Sequence, residues 1–357
     1  KKIADLSLGD AVISLVKQEG CELEALNSDL VVDALEEVIN YGGYKLCDDY
    51  RSLWQYSNSL LWDEAHDDAG HAYEFIADMK RENCFDQPGM GNGNTEEIFQ
   101  IQFMNASKWA IGGTYSTARM YCNYLSTFWG LRVNGNNGNR DCTYPFTQGW
   151  GQGTPSCNIW DDWTIAEANG GVEPYTDIRK LGSLIDCDNE LAAYSYVKDD
   201  CEESGYAVKK WCGVTLDALT GDSPWWDAAP GWTGSALDNP MQGDHFEDFY
   251  LMRLADVYLM HSELTGTVTY MNKVQERAGV PKTKNYSLKA LQDERRWEFA
   301  FEGLRFNDMR RWSGKDGGEN CYAAKALQAQ AGKQVVVKGN KANKVSLKHM
   351  TCSWAQR

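Results

Sequence analysis

The most informative segment of this chain is Asp293-Glu-Arg-Arg-Trp-Glu-Phe-Ala-Phe-Glu-Gly-Leu-Arg-Phe-Asn-Asp-Met-Arg-Arg-Trp312. Its first fourteen residues hold seven charged and four aromatic side chains, yet the spacing predicts one continuous helix. The apolar residues in and just before it fall on opposite sides of a helical wheel, Leu288, Leu291, Phe299 and Phe306 on one side and Trp297, Phe301 and Leu304 on the other. A helix with two apolar faces is expected to lie wedged between neighbouring elements.

A charged stripe runs between those two faces and consists of Arg295, Glu298, Glu302 and Arg305. Spacings of three, four and three residues let neighbouring side chains meet, and the two signs balance. The stripe is therefore predicted to neutralise itself in a partly dry place. Gly303 costs about 1 kcal/mol of helix propensity, which suggests that another backbone comes close there. We interpret the stripe as structural, in preference to a catalytic pair of glutamates.

Length and composition indicate a soluble globular protein with a substantial core. The chain has 357 residues, of which 43% are hydrophobic and 24% charged, and this length fits one large or two ordinary domains. No apolar run approaches the roughly 18 residues of a membrane span. The net charge of −16 argues against nucleic acid and anionic membrane surfaces as partners, since both need basic patches.

The cysteines and histidines give no metal or cofactor motif. The 11 cysteines are odd in number and include no Cys-x-x-Cys, which excludes zinc ribbons and thioredoxin chemistry. Bridges Cys142–Cys157 and Cys201–Cys212 are open alternatives to reduced, buried thiols. The segment 66–71 has two histidines and two aspartates without zincin spacing, and the glycine-rich segment 88–94 lacks the lysine of a phosphate loop. We predict neither a metal nor a cofactor.

The regular elements alternate with long irregular segments. Periodicity predicts the following elements: helices Leu6–Val16, Asp29–Asn40 and Asp248–Leu264, a strand Glu96–Phe103, a hairpin or strand pair within 190–216, and a short strand from Gln334. The second helix is expected to end at Gly42-Gly43. His261, within the last of these helices, is interpreted as a packed side chain.

Aromatic residues are concentrated in loops rich in Gly, Asn and Pro. The chain has 14 Trp, 18 Tyr and 11 Phe, and the loop 128–151 has a turn residue at nearly every second position. Its Trp129, Tyr144 and Trp150, with Phe146, are candidates for a flat platform, because a pyranose stacks its C–H face on an aromatic ring and pairs its hydroxyls with amides. The alternative is that these rings only pin down the loop.

A second aromatic loop extends from Ser223 to Trp232. It contains adjacent tryptophans, Trp225 and Trp226, between two prolines. Two neighbouring tryptophans cannot both enter a core from such a loop without help from other segments. One of them is therefore a candidate for ligand contact.

Several motifs together resemble the SusD/RagB family of nutrient-binding lipoproteins of the Bacteroidetes outer membrane. The strong ones are Glu294–Trp312, quoted above, the helix Arg253-Leu-Ala-Asp-Val-Tyr-Leu-Met-His-Ser-Glu263 and the run Asn272-Lys-Val-Gln-Glu-Arg-Ala-Gly279. Moderate ones lie at 33–54, 96–103 and 149–155. The resemblance covers roughly residues 30–335 in family order, and the chain is shorter than the family norm.

The resemblance implies a mainly α fold in which tetratricopeptide-like helix pairs support a loop-rich ligand face with a few short strands. We expect one domain over 1–357, with the helical scaffold at about 1–55 and 245–312 and the binding part at about 104–240. Residues 1–5 show neither a signal peptide nor a lipidation cysteine, so either the protein is cytoplasmic or a leader is removed or left out. With the resemblance, we expect an incomplete N-terminus and membrane attachment through a lipid outside this chain.

The implied function is non-catalytic binding of oligosaccharide or polysaccharide at the cell surface, with delivery to a SusC-like TonB-dependent transporter. A peptide-binding member of the same family is the first alternative, since acidic and aromatic pockets also suit peptides. A glycoside hydrolase with two carboxylates about 5–9 Å apart is a further alternative. Because the chain has 51 acidic residues, nominating such a pair carries little weight.

Overall fold

Helices dominate the part of the chain that the computed structural model describes, which comprises residues 28–54, 56, 93–102, 128–132, 148–149, 151–169, 173–190, 204–212, 248–313, 320–329, 334–335 and 345–346. The helices are α1 (Ser28–Tyr41), α2 (Cys157–Asn169), α3 (Ile178–Ser183), α4 (Cys187–Glu190), α5 (Leu254–Thr265), α6 (Thr269–Arg277), α7 (Leu288–Glu298), α8 (Arg305–Trp312) and α9 (Tyr322–Gln328), with a 3-10 turn at Tyr50–Leu53. The strands are β1 (Glu97–Ile101), β2 (Leu131–Arg132), β3 (Gln148–Gly149), β4 (Leu184–Asp186), β5 (Tyr206–Val208), β6 (Phe249–Arg253), β7 (Gln334–Val335) and β8 (Val345–Ser346).

Helix α1 packs against α5 through one apolar stripe. Leu35, Val38 and Ile39 recur at helical spacing and contact the core cluster that α5 builds with α6 and α7. At the end of α1, the Gly42 amide donates to the Val38 carbonyl at 3.0 Å, and Gly43 adopts a φ of 76°. A left-handed glycine is a common way to end a helix. The predicted helix and its glycine stop are confirmed.

Helices α5, α6 and α7 form successive packed pairs around a shared apolar core. Leu254, Leu259, Met271 and Leu291 are fully buried there. The α7 N-terminus is capped by Ser287, whose hydroxyl accepts from the Ala290 amide at 3.1 Å. Such helix pairs, with short two-stranded sheets beside them, confirm the mainly α fold class.

The segment before α5 differs from the prediction, which extended this helix back to Asp248. Residues Phe249–Arg253 instead form β6, which pairs antiparallel with β1 and places Gln100 opposite Tyr250. Strand β1 needs a partner for its backbone groups, and that need outweighs the helix propensity of Leu251, Met252 and Arg253 in β6. The predicted strand at 96–103 is confirmed as β1, while the helix begins only at Leu254.

The segment 293–312 is also not one helix. Helix α7 ends at Glu298 and α8 begins at Arg305, and the turn between them contains Phe301 and Gly303 at φ values of 65° and 80°. The expected close approach of another backbone to Gly303 is wrong, because a Cβ built there would meet nothing within 4 Å among the described residues. Gly303 is needed for its positive φ.

The remaining strand predictions are met in part. Strand β5 lies within 190–216 as predicted, but it pairs antiparallel with β4, at 184–186. Strand β7 pairs with β8, in agreement with the strand predicted from Gln334. The predicted helix Leu6–Val16 lies outside the described residues. No helix in the described ranges combines the length and apolar character that crossing a membrane requires.

Four described cysteines are buried: Cys47, Cys187, Cys212 and Cys321. The Cys212 thiol donates to the Val208 carbonyl at 3.2 Å. Cys201 and Cys142, the other halves of the two bridges considered above, lie outside the described residues. Burial, with a smaller contribution from Glu96, raises the pKa of the Cys47 thiol to about 11. This thiol is therefore protonated and unreactive at neutral pH.

Candidate functional site

Glu298 is the centre of a buried ionic network that joins four elements. Its carboxylate accepts from Arg253 at the end of β6 at 2.6 Å, from Arg179 of α3 at 3.2 Å, and from Arg277 of α6. All four side chains are at most 4% exposed. Burial alone would raise the pKa of Glu298, but Arg277, Arg253 and Arg179 outweigh it and hold the pKa well below its usual range.

Further carboxylates complete the partners of these cations. Glu96 accepts from Arg253 at 2.6 Å and from Arg277 at 2.8 Å. Glu302 accepts from Arg253 at 2.9 Å and from Lys210 at 2.8 Å. Arg179 also pairs with a helix-capping aspartate and with a glutamate of α7, which are Asp177 and Glu294. The network is close to charge balance and fully enclosed, so it holds elements together and offers no open carboxylate for chemistry.

The four residues of the predicted charged stripe do not neutralise one another. Glu298 and Glu302 pair with cations from other elements, as described above. Arg295 pairs with Asp256 of α5 at 2.6 Å and with Asp308 of α8 at 2.8 Å. Arg305 lies 5.5 Å from the Tyr322 ring centroid. The break between α7 and α8 separates the stripe, so its partners come from tertiary contacts.

Lys210 gives this network a measurable pH signature. Burial lowers its pKa to about 8, against the opposing effect of Glu302. Since the unfolded lysine titrates near 10.4, the unfolded state binds more protons between about pH 8 and 10, and stability rises with pH there.

We expect Lys210→Met to remove this rise in stability. The unfolding free energy of wild type minus that of the variant should increase by roughly 2 kcal/mol from pH 7.5 to 9.5, measured by urea unfolding. The control is Lys289→Met, at a side chain that is 73% exposed, and its difference from wild type should stay flat. A flat difference for Lys210→Met would contradict this assignment.

Trp129 lies just before β2, in a short segment (residues 128–132, the Trp129 loop) that backbone hydrogen bonds hold against a segment about twenty residues later. Strand β2 pairs in parallel with β3. The Gly151 amide donates to the Gly130 carbonyl at 2.9 Å, and the Gln152 amide donates to the Phe128 carbonyl at 2.7 Å. These bonds hold the two segments side by side.

The Trp129 indole is partly buried between two supports. Its ring meets that of Phe301 edge-on, with centroids 6.3 Å apart and an interplanar angle of 88°. Against its five-membered ring lies Gly153, where a Cβ would come within 3.1–3.2 Å of three ring atoms. Gly153 therefore permits a close backbone approach that any other residue would disturb.

The other predicted ligand contacts lie outside the described residues: Tyr144, Trp150, Trp225 and Trp226. Their role therefore remains a prediction. No pattern in the sequence marked Phe301 and Gly153 as supports of Trp129. The features that could have pointed to them were a glycine just after the Gly-Trp-Gly segment and an aromatic residue beside Gly303.

Other described tryptophans belong to the core. Trp160 stacks on Tyr206 with centroids 4.8 Å apart, and the Lys180 ammonium lies 4.2 Å from its ring. Trp163 is fully buried and stacks on Trp297 at 4.8 Å. His261 is likewise a packed side chain, as predicted, with Nε2 3.1 Å from the Glu36 carboxylate. These groups explain the aromatic content of the scaffold without a ligand.

Comparisons with known proteins relate the C-terminal third of the chain to one family. The model of the SusD family matches residues 235–352. Among curated proteins, the SusD-like protein P25 of Formosa agariphila is 39% identical over 92 residues, which is 21% of this chain and 17% of that protein. Residues 235–352 thus match the SusD family, in agreement with the motifs found within them.

Solved structures agree on the fold. A laminarin-binding SusD-like protein matches 90% of this chain and 55% of its own, with a TM-score of 0.54 and 22% identity. The surface glycan-binding protein A from Bacteroides fluxus matches 96% of this chain and 54% of its own, with a TM-score of 0.50 and 18% identity. The chain therefore spans about half the length of these relatives.

Proposed function

We propose that this protein binds oligosaccharide or polysaccharide at the cell surface without catalysis. The observation that carries the proposal is Trp129, a partly exposed indole held between Phe301 and Gly153 on a SusD-like scaffold. A ring fixed before binding loses little conformational freedom when a sugar stacks on it, so the free energy of stacking is kept. The similar fold of a laminarin-binding SusD-like protein and of a surface glycan-binding protein supports this ligand class.

The proposal extends to partners and location. The bound glycan would pass to a SusC-like TonB-dependent transporter in the outer membrane, with the protein attached by an N-terminal lipid outside this chain. Tyr144, Trp150, Trp225 and Trp226 would complete the aromatic face within the part at 104–240. Uptake of a labelled oligosaccharide by cells that lack the protein, complemented with wild type or a Trp129 variant, tests the delivery step.

We expect Trp129→Ala to weaken retention on a neutral polysaccharide gel by about 1–3 kcal/mol, since it deletes a rigid stacking surface. Affinity electrophoresis on laminarin, xyloglucan and starch, beside binding to an oligopeptide pool, measures the change. The matched control is Tyr41→Ala, at an aromatic side chain that is 84% exposed on α1.

Three outcomes would contradict the proposal in different ways. Equal retention of wild type and Trp129→Ala on every glycan that binds would remove Trp129 from the site. Retention of oligopeptides alone would assign the ligand to peptides. Release of reducing sugar from any of the polysaccharides by the pure protein would show an enzyme.

A further inference from the structure

We propose that Phe301 is a positioning residue that holds the Trp129 loop in its ligand-binding form, through a strained turn anchored in the ionic network. The ligand-binding part of this inference rests on the proposed function, whereas the positioning itself is a property of the ligand-free protein. It joins two features that lie side by side: the turn between α7 and α8, and the Trp129 loop at residues 128–132.

The backbone of Phe301 is strained. Its φ of 65° is the only positive value at a non-glycine residue in the described ranges. A bulky side chain rarely adopts this conformation, because its Cβ crowds the backbone, whereas glycine adopts it freely. A strained backbone conformation costs free energy. It persists where the surrounding structure holds the residue and contacts of its side chain offset the cost.

Buried hydrogen-bond donors hold the turn at Glu298, where it begins, and at Phe301 itself. The Glu298 carbonyl accepts from Tyr50 Oη at 3.0 Å, from Arg253 Nη2 at 3.0 Å and from Lys210 Nζ at 3.3 Å. The Phe301 carbonyl accepts from Trp211 Nε1 at 3.0 Å. The turn is thus tied to segments far away in sequence, and its geometry does not depend on local preference.

The strained backbone determines where the Phe301 ring lies. It packs against the core clusters that contain Trp211 and Trp163, and it meets Trp129 edge-on. Because the core holds Phe301 from behind and Gly153 limits Trp129 from another side, the indole has a defined position. Glycine at 301 would relieve the backbone strain and lose this support, so the ring is the useful part of the residue.

The test separates the ring from the backbone. Phe301→Gly removes the ring at a position where glycine is conformationally favoured, so the fold should survive. In the ligand-free protein, we expect amide hydrogen exchange at Gly151 and Gln152, which donate to the Trp129 loop, to speed up by about threefold to tenfold. Retention on the polysaccharides that hold wild type should fall by a similar factor. Phe301→Tyr, which keeps the ring, should restore both.

The control is Phe306→Ala, at a side chain that is 55% exposed on α8. It should leave both the exchange rates and retention as in wild type. Unchanged exchange at Gly151 and Gln152 in Phe301→Gly would overturn the positioning role, as would failure of Phe301→Tyr to restore the wild-type rates. If Phe301→Gly alters exchange while Trp129→Ala leaves retention intact, the positioning role stands and the proposed binding site is wrong.

Discussion

Replacing Glu298 by glutamine is expected to lower the free energy of unfolding by about 3–5 kcal/mol, because it leaves three buried arginines without their shared carboxylate. Glutamine keeps the size and shape of the side chain, so packing changes little and the loss reports the charge. Arg253, Arg277 and Arg179 are each at most 4% exposed and cannot regain water without opening the core. Urea unfolding followed by circular dichroism measures the difference.

A matched control and the pH dependence sharpen this experiment. Asp293→Asn removes one partner of a surface pair with Lys289, 43% and 73% exposed, and should cost less than about 1 kcal/mol. The folded pKa of Glu298 lies well below the unfolded value near 4.3, so the contribution of Glu298 to the free energy of unfolding is complete above about pH 5. This contribution is lost as the pH falls towards and through the folded pKa. The gap between wild type and Glu298→Gln should therefore be constant from pH 5 to 8 and narrow below pH 4.

Two results would refute the role given to Glu298. A loss as small as that of Asp293→Asn would mean that the network does not stabilise the fold. A gap that keeps its full size down to pH 3 at 25 °C would mean that the effect is steric and not electrostatic.

Trp54→Ala is expected to lower the free energy of unfolding by about 3–5 kcal/mol, because it leaves a cavity in the core cluster that also contains Trp211 and Tyr250. Trp54 is 0% exposed and meets the rings of Tyr50, Trp211 and Tyr250 edge-on, with centroids 5.6–5.9 Å apart. The Lys210 ammonium also lies 4.3 Å from its ring. Thermal and urea unfolding of the same samples measure the loss.

Tyr41→Ala is the matched control for Trp54→Ala, since it deletes an aromatic side chain that is 84% exposed. It should shift the urea midpoint very little. Trp54→Phe should fall between the two, because it keeps most of the buried surface. Equal effects of Trp54→Ala and Tyr41→Ala would show that Trp54 is not a core residue.

The sequence predicts elements whose signals are local. Helix α1 follows from the spacing of Leu35, Val38 and Ile39 and from the glycines after it, and nothing distant changes that outcome. Strand β1 follows from its alternation. The family motifs in 253–312 are recognised by residue identity alone. They therefore indicate the family even where the predicted secondary structure differs from the observed one.

Elements that depend on distant partners are not predicted. Strand β6 looks helical by itself, and it is a strand because Tyr250 lies opposite Gln100, about 150 residues earlier. The break after Glu298 depends on donors from Tyr50, Lys210 and Arg253, which no local window contains. The same holds for the site: the sequence points to Trp129, but its support by Phe301 becomes visible only in three dimensions.

The ionic network also sets an order of events during folding. Glu96 finds its two arginine partners 157 and 181 residues later in the chain, and Glu302 follows them. A carboxylate is costly to bury without its cations, so β1 can dock only when Arg253 and Arg277 are in place. The N-terminal part of the fold is therefore completed by the last helices and cannot form its final packing ahead of them.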